Sequence, residues 1–139
     1  MRYLGMDLGN KTLGLALSDK EGIISSPYKL IKYTNYDDLI KEVLEIIDEK
    51  EVGTIVLGLP KNMNNTLGRA AKRSLEFKKM LENVCPLEVY LVDERLSTIE
   101  AEGILIKADV SRKKRKKIID EVSASIILDT HLRKLVKNG

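Results

Sequence analysis

The alternation of apolar and polar residues predicts that the chain begins with strands. Two apolar runs, Tyr3–Met6 and Leu13–Leu17, flank a turn that contains Gly-Asn, and this arrangement is typical of a β-hairpin. Residues 23–33 are rich in strand-forming side chains but include Pro27, so we expect a third strand that begins at Tyr28. The N-terminal part is therefore predicted to be a meander of strands.

Helical periodicity follows the third predicted strand. Thr34-Asn35 is expected to cap a helix whose apolar side chains recur at a spacing of three and four residues. These side chains are Leu39, Ile40, Val43, Leu44 and Ile47. The continuous apolar run Thr54–Leu57 then predicts a buried parallel strand, and the apolar run Leu87–Val92 predicts another.

A loop and a second helix are predicted between those two strands. Residues 58–66 are rich in turn-forming side chains, and Thr66 is a candidate N-cap for a helix over Leu67–Val84. The side chains expected on one side of this helix are Ala71, Leu75, Lys78 and Leu81. Free amides at its N-terminus would suit a phosphate, although an ordinary strand-to-helix connection explains the same pattern.

Two further helices are predicted after Val92. Ser97 and Glu100 form the S-x-x-E capping box, which predicts a short helix over Thr98–Ala108. A run of six basic residues comes next: Arg112, Lys113, Lys114, Arg115, Lys116 and Lys117. A buried helical stripe follows the run and comprises Ile119, Val122, Ser123, Ile126, Ile127 and Thr130.

The order of these elements indicates the fold class. Strands that meander and then alternate with helices favour an α/β fold with a mixed five-stranded sheet flanked by helices. The length of 139 residues predicts one domain, residues 1–139, with a sizeable core.

Composition limits the chemistry that the chain can support. Cys85 is the only cysteine and His131 the only histidine, which excludes an internal disulfide and a Cys/His zinc site within one chain. A Ser-His-Asp site would need His131, which lies in a strongly helical stretch and is expected in the core or on the surface. No apolar run could span a bilayer and no signal-peptide pattern begins the chain, so we expect a cytoplasmic protein without membrane contact.

Carboxylates end two of the predicted strands. Asp7 ends the first and Asp93-Glu94 ends the last, so these acids are expected at one edge of the sheet. Asp120 lies at the edge of the final helical stripe, one turn before Ala124, and can approach them. Acids brought together would repel one another unless Mg²⁺ or Mn²⁺ lies between them. The pattern therefore favours two-metal hydrolysis of a phosphodiester.

Basic residues near these acids indicate a nucleic-acid substrate. The net charge of +3 is too small to imply one, but the basic run stands directly before Asp120. Lys11 and this run would hold a nucleic-acid backbone by charge. Basic runs are more often solvated surface, and the adjacency to Asp120 is what favours binding here.

Four motifs, in order and spanning nearly the whole chain, resemble the YqgF/RuvX family. They are Asp7-Leu-Gly-Asn-Lys-x-x-Gly-x-Ala-x-Ser-Asp19, Gly58-Leu-Pro-x-Asn-Met63, Asp93-Glu-Arg-Leu-Ser97, and Ile119-Asp120 with a following Ala-x-x-Ile-Leu128. The resemblance implies an RNase H-like fold and a nuclease that matures the 5′ end of the pre-16S ribosomal RNA. The family is also associated with Holliday junction resolution, by its likeness to RuvC.

The resemblance also implies a set of site residues. By motif position, Asp7, Glu94 and Asp120 are the implied catalytic residues and ligands of two Mg²⁺ or Mn²⁺ ions. Asp93 stays open as a ligand, because alternation along a strand lets only one of the two adjacent acids face the site. Nucleic acid is expected to contact Arg95 in addition to Lys11 and the basic run.

The chain departs from the family pattern at two places. Asn64-Asn65 stands where Asp-Gly is usual, and Thr12 follows Lys11 where Arg is frequent. Asn tolerates left-handed backbone geometry, so the turn at Asn64-Asn65 can survive. Neither departure changes the three implied acids.

Other functions fit parts of the sequence. The Asp-x-Gly hairpin also begins the ATPase fold of actin and the sugar kinases, but those proteins need a second such domain. A Holliday junction resolvase acting on branched DNA, and a non-catalytic RNA- or ribosome-binding protein, both stay open. The expected partners are therefore a ribosomal RNA precursor, branched DNA or ribosomal particles, bound by a monomer or weak dimer.

Overall fold

The structure is a computed structural model that describes residues 1–61, 64, 67–94 and 106–138, with the side chains of residues 116, 117, 119–121, 137 and 138 outside that description. In chain order, its strands and helices are β1 (Arg2–Leu8), β2 (Thr12–Ser18), β3 (Ser25–Lys32), α1 (Tyr36–Glu49), β4 (Val52–Leu59), α2 (Arg69–Val84), β5 (Val89–Asp93) and α3 (Arg112–Asn138).

The five strands form one sheet in the order β3-β2-β1-β4-β5. The pairs β1–β2 and β2–β3 are antiparallel, whereas β1–β4 and β4–β5 are parallel. The mixed five-stranded sheet predicted from the sequence is therefore confirmed. Because β1, β4 and β5 run the same way, their carboxyl ends meet at one edge of the sheet.

Helices cover both faces of the sheet. On one face, α1 and α2 contribute Leu39, Val43, Phe77 and Leu81 to a core that includes Leu4. On the other face, α3 packs a smaller cluster against β1, β2, β4 and β5. That cluster comprises Ala16, Val56, Val92, Ala124, Ile127, Leu128 and Leu132. The sheet thus separates two apolar layers, and the two faces can be told apart along each strand by its alternation.

The helix α3 lies very close to β1 at Gly5. A Cβ built on Gly5 would stand 2.7 Å from Leu128 Cβ and 2.8 Å from the Ala124 carbonyl oxygen. Real Cβ atoms do not approach that closely, so the absence of a side chain at Gly5 is what permits this packing. The consequence for function is that the N-terminal half of α3 reaches the carboxyl end of β1.

The third strand begins earlier than the sequence predicts. It starts at Ser25 and includes Pro27, so the expected start at Tyr28 is wrong. The strand lies at the edge of the sheet, where a proline without a backbone N–H costs no hydrogen bond to a neighbouring strand. The register shifts beside Pro27, because Leu15 pairs with Lys29 whereas Ala16 pairs with Pro27, which leaves Tyr28 as an extra residue in β3.

Other boundaries also differ from the predicted ones. The strand β4 continues to Leu59, so Gly58 and Leu59 belong to a strand and not to a loop. The helix α2 begins at Arg69 with Gly68 as its N-cap, later than predicted; the candidate cap Thr66 lies outside the described residues. The strand β5 begins at Val89 and not at Leu87.

The buried stripes of two helices are rotated from those predicted. In α2, Ser74 and Phe77 are buried in place of Leu75 and Lys78. Both sets fit a helical period. The helix buries the face that carries Phe77, because Phe77 has its largest apolar side chain. In α3, the buried residues among the described side chains are Ser123, Ala124, Ile127, Leu128 and Leu132, and Ile119 of the predicted stripe lies outside them. This stripe includes Ala124 and Leu128, the two residues of α3 that lie against Gly5.

The cap of α1 is as predicted, because Asn35 Oδ1 accepts a hydrogen bond of 2.9 Å from the Asp38 amide. The capping box of Ser97 and Glu100, and most of the helix predicted over Thr98–Ala108, lie outside the described residues. Among the helices that the structure describes, none is both long and apolar enough to cross a membrane.

Candidate active site

Asp7 lies near the carboxyl end of β1 with its side chain towards α3. It pairs with Gly14 of β2, where a built Cβ would lie 3.8 Å from Ala124 Cβ and 3.9 Å from Asp7 Cβ. Ser123 Oγ donates a hydrogen bond of 2.5 Å to Asp7 Oδ2. The alternation of side chains along β1 points Asp7 towards α3. The hydrogen bond from Ser123 then holds one of the two carboxylate oxygens of Asp7 in place.

Glu94 follows β5 and reaches Asp7. The two carboxyl groups lie close enough to share a hydrogen bond when one of them carries a proton. Burial raises the pKa of the Glu94 carboxyl to about 9, and the hydrogen bond to Asp7 and the negative charges of Asp7 and Asp93 act in the same direction. In the metal-free protein at neutral pH, Glu94 is therefore the protonated member of the pair.

Gly58 of β4 lies directly beneath the Glu94 side chain. A Cβ on Gly58 would stand 2.7 Å from Glu94 Cγ and 2.5 Å from Ile127 Cδ1. The missing side chain leaves room for Glu94 to cross β4 towards Asp7. The Gly-Leu-Pro motif thus contributes to the site because its glycine leaves the space that the Glu94 side chain occupies.

The structure distinguishes the two adjacent acids at the end of β5. Asp93 is the register partner of Leu59, and Val92 that of Gly58. Val92 packs on the face that α3 covers, so Asp93 points to the other face. The Glu94 side chain lies over Gly58 beside Ile127 of α3, which places Glu94 on the same face as Val92. Glu94 is thus the acid of this pair that contacts Asp7.

Asp120 lies in α3, one helical turn before Ala124, which is buried against the sheet beside Asp7. The Asp120 side chain is outside the described part of the chain. No group of three His, Cys, Asp or Glu side chains that could hold a metal ion is found among the described residues. The described contact therefore unites Asp7 and Glu94.

The predicted nucleic-acid contacts lie on two parts of the chain. Lys11 is exposed in the β1–β2 turn. Arg112, Lys113 and Lys114 are exposed in the first turn of α3, whereas Arg115 Nη1 donates a hydrogen bond of 2.8 Å to the Val110 carbonyl oxygen. Arg95 and the side chains of Lys116 and Lys117 lie outside the described residues.

Two features of the site were not predicted. The hydrogen bond from Ser123 was missed because the sequence suggested only a small, buried residue there; its position three residues after Asp120 was the available signal. The second is a clasp on the β1–β2 turn, where the Tyr33 hydroxyl donates 2.5 Å to the Gly9 carbonyl oxygen and Arg73 Nη1 donates 2.7 Å to Asn10 Oδ1. No sequence spacing links Arg73 to that turn.

Solved structures of Holliday junction resolvases share this fold. Thermus thermophilus RuvC superposes with a TM-score of 0.60 at 13% identity, over 99% of this chain and 97% of that one. The fowlpox virus Holliday junction resolvase gives a TM-score of 0.53 at 11% identity, over 96% of this chain and 99% of that one. The sheet order and these likenesses define the RNase H-like fold.

Sequence likeness is much stronger and identifies the family. Residues 1–134 match the family described as "RuvX: Holliday junction resolvase". A Geobacillus sp. (strain WCH70) protein named "Putative pre-16S rRNA nuclease" is 52% identical over 134 residues, which cover 95% of this chain and 97% of that protein. A Clostridium kluyveri protein of the same name is 45% identical over 137 residues, covering 99% of this chain and all of that protein (100%). The chain belongs to the RuvX family of nucleases.

Proposed function

We propose that this chain is a metal-dependent endonuclease that hydrolyses phosphodiester bonds of structured nucleic acid, and that it processes the 5′ end of pre-16S rRNA. The observation that carries the proposal is the contact between Asp7 and Glu94 at the carboxyl edge of the sheet. The names of its relatives support the RNA substrate. Residues 1–139 are proposed to act as one domain, which works in the cytoplasm.

The donor set at this edge fits a divalent cation. Two carboxyl groups lie in contact, and one must hold a proton to relieve their repulsion. A cation can replace that proton, and oxygen ligands of this kind suit Mg²⁺ or Mn²⁺. Asp7 and Glu94 would hold the ion, and Asp120 is proposed as the third ligand of a two-ion site.

Each residue then has a distinct part in the proposed hydrolysis. Bound divalent ions supply activation of the attacking water and stabilisation of the leaving oxygen. Ser123 holds one oxygen of Asp7 in place, and Gly58 provides the space that Glu94 occupies. Lys11 and the exposed cations at the start of α3 bind phosphates on the substrate backbone.

A cleavage assay tests the proposal directly. The purified full chain would be given a transcript that carries the 5′ leader of pre-16S rRNA, with Mg²⁺, with Mn²⁺ or with EDTA. We expect cleavage in the leader only with a divalent ion, and none by Asp7→Asn. Asp48→Asn is the matched control, because Asp48 is exposed in the last turn of α1, at the opposite end of the sheet.

A second candidate is a Holliday junction resolvase, which the description of the family favours. A four-way DNA junction of matched length belongs in the same assay. Cleavage of the junction without cleavage of the RNA would support this second function. Tight binding of RNA with no cleavage and no stabilisation by metal would show a non-catalytic RNA-binding protein and contradict both candidates.

A further inference from the structure

The first two turns of α2 carry a row of positive charge. Arg69, Lys72 and Arg73 are spaced three and four residues apart, so they share one face of the helix. Residues 52–75 contain these cations and Lys61 but no Asp or Glu. The next acid along the helix is Glu76. No acidic residue within this segment therefore offsets the positive charge of the row.

A direct contact joins this row to the β1–β2 turn. Arg73 Nη1 donates to Asn10 Oδ1 at 2.7 Å, and Asn10 is the chain neighbour of Lys11. Arg73 Nε is buried, with no hydrogen-bond partner among the described residues, so this guanidinium is held against the protein. Arg73 thus holds the β1–β2 turn, which carries Lys11, against α2. We call Lys11, Arg69, Lys72 and Arg73 the turn-side surface.

The charges of this surface are not neutralised by the protein. Lys11, Arg69 and Lys72 are exposed, and no ion pair joins them to a carboxylate in the part of the chain that the structure describes. Elsewhere, Lys78 pairs with Glu82 at 2.9 Å. The helix also begins at Gly68 without a side-chain cap, so its first amides add to the positive potential.

The turn-side surface lies beside the Asp7–Glu94 pair but away from α3. Asn10 follows Asp7 by three residues, so their Cα atoms are at most about 11 Å apart. The helix α2 covers the sheet face opposite to α3. Exposed cations therefore stand on both sides of the carboxyl pair, one group on α2 with the turn and one at the start of α3.

We propose that the turn-side surface binds the phosphate backbone of the nucleic-acid substrate, at a segment separate from the one held by the start of α3. This inference rests on the proposed function, since it extends the same site. A chain of phosphates suits the surface because it presents repeated negative charge to several cations at once. The substrate accordingly crosses the sheet edge with its backbone held on both sides of the carboxyl pair.

Binding without cleavage tests this inference. The probe is a fluorescent RNA stem–loop with a single-stranded 5′ extension, titrated with the full chain in EDTA between about 50 and 200 mM salt. In the triple variant Lys11→Gln, Arg69→Gln, Lys72→Gln, the slope of log affinity against log salt should fall by about 2 to 3, at roughly 0.7–0.9 per lost phosphate contact. The control triple is Lys20→Gln, Lys41→Gln, Lys134→Gln, which removes equal charge from exposed positions.

A combined variant tests whether the two segments are separate. Adding Arg112→Gln, Lys113→Gln and Lys114→Gln should lower the slope by the sum of the two separate losses. A turn-side triple that keeps the slope of the control triple would overturn the inference, and so would a combined loss no larger than one triple alone. Because no cleavage is measured, a failure of the nuclease proposal would leave this readout intact.

Discussion

Ser123 Oγ donates a hydrogen bond of 2.5 Å to Asp7 Oδ2 and so connects the last helix to the first strand at the carboxyl pair. Ser123 is buried, and Asp7 is already in contact with a second carboxyl group. The hydroxyl holds Asp7 in one orientation, which is the part that a residue behind a metal ligand ordinarily plays.

Ser123→Ala should therefore weaken the metal site more than it weakens the fold. We expect stability in EDTA to fall by about 1.5–3 kcal/mol, as for a lost hydrogen bond to a charged group. The Mn²⁺ concentration needed for half-maximal stabilisation should rise about 10-fold or more. Thermal melts across a Mn²⁺ titration measure both effects. Ser125→Ala is the matched control, since among the described residues the Ser125 hydroxyl donates to the Val122 carbonyl oxygen of its own helix and not to the site.

Asp7→Asn should abolish cleavage without lowering the stability of the metal-free protein. Asn keeps the shape and an acceptor for the Ser123 hydroxyl, but it removes the charge that raises the pKa of Glu94. The variant should melt no lower than the parent in EDTA and should lose the stabilisation that Mg²⁺ or Mn²⁺ gives the parent. A clear drop in melting temperature with an unchanged response to metal would mean that Asp7 is purely structural.

The carboxyl pair predicts an unusual dependence of stability on pH. The Glu94 pKa is about 9 in the folded protein and near 4.5 when unfolded, so the folded state binds this proton more tightly. Its contribution is complete below the unfolded pKa and is lost as pH rises towards the folded one. The melting temperature in EDTA should hence decline between about pH 5 and 9.

Glu94→Gln should make that profile flatter, because the amide keeps a donor for Asp7 and does not titrate. The comparison is with Glu76→Gln, an exposed position on α2, which should retain the parental slope. Equal slopes for parent and Glu94→Gln would show that the two carboxyl groups do not share a proton.

Close packing of α3 predicts very different costs for two similar glycine substitutions. Gly5→Ala places a Cβ 2.8 Å from a helix carbonyl oxygen, so α3 must shift, and we expect a loss of about 3 kcal/mol or more. Gly14→Ala meets no atom of the described residues nearer than 3.8 Å and should cost under about 1 kcal/mol. Urea unfolding of both variants measures the difference, and similar losses would contradict this packing.

The start of α3 predicts a sequence-independent contribution to binding. Neutralising Arg112, Lys113 and Lys114 should weaken binding of all nucleic-acid sequences about equally and lower the salt slope by about 2 to 3. Cleavage at saturating substrate should largely survive, because the carboxyl pair is untouched. An unchanged slope in a fluorescence titration would show that these residues are only solvated surface.

The sequence was most informative about element types and the edge at which the acids gather. Alternation and helical spacing predicted the mixed sheet, and the capping side chain of Asn35 was recognisable locally. Pro27 was misleading because its tolerance depends on an edge position, which is a property of the whole sheet. Gly58 was assigned to a loop because turn-forming residues follow it. The sequence does not distinguish a glycine that forms a turn from a glycine in a strand that leaves room for a neighbouring side chain.

Long-range contacts could not be predicted from spacing. Strand alternation left a choice between Asp93 and Glu94 until the register of β5 against β4 was known. The clasp of Arg73 on the β1–β2 turn joins residues 63 positions apart. The buried stripe of α3 was predicted from the spacing of its isoleucines. The face that is buried is instead the one that packs closely against Gly5.

The contact between Asp7 and Ser123 also bears on when the carboxyl pair can be assembled during synthesis. The two residues are 116 positions apart, so at about 5–20 residues per second the ribosome adds the second roughly 6 to 23 seconds after the first. Until α3 is made, Ala16, Val56 and Val92 on the sheet face that carries Asp7 lack the apolar side chains of that helix. The hydrogen bond that holds Asp7 in its orientation therefore forms only after most of the chain has been made.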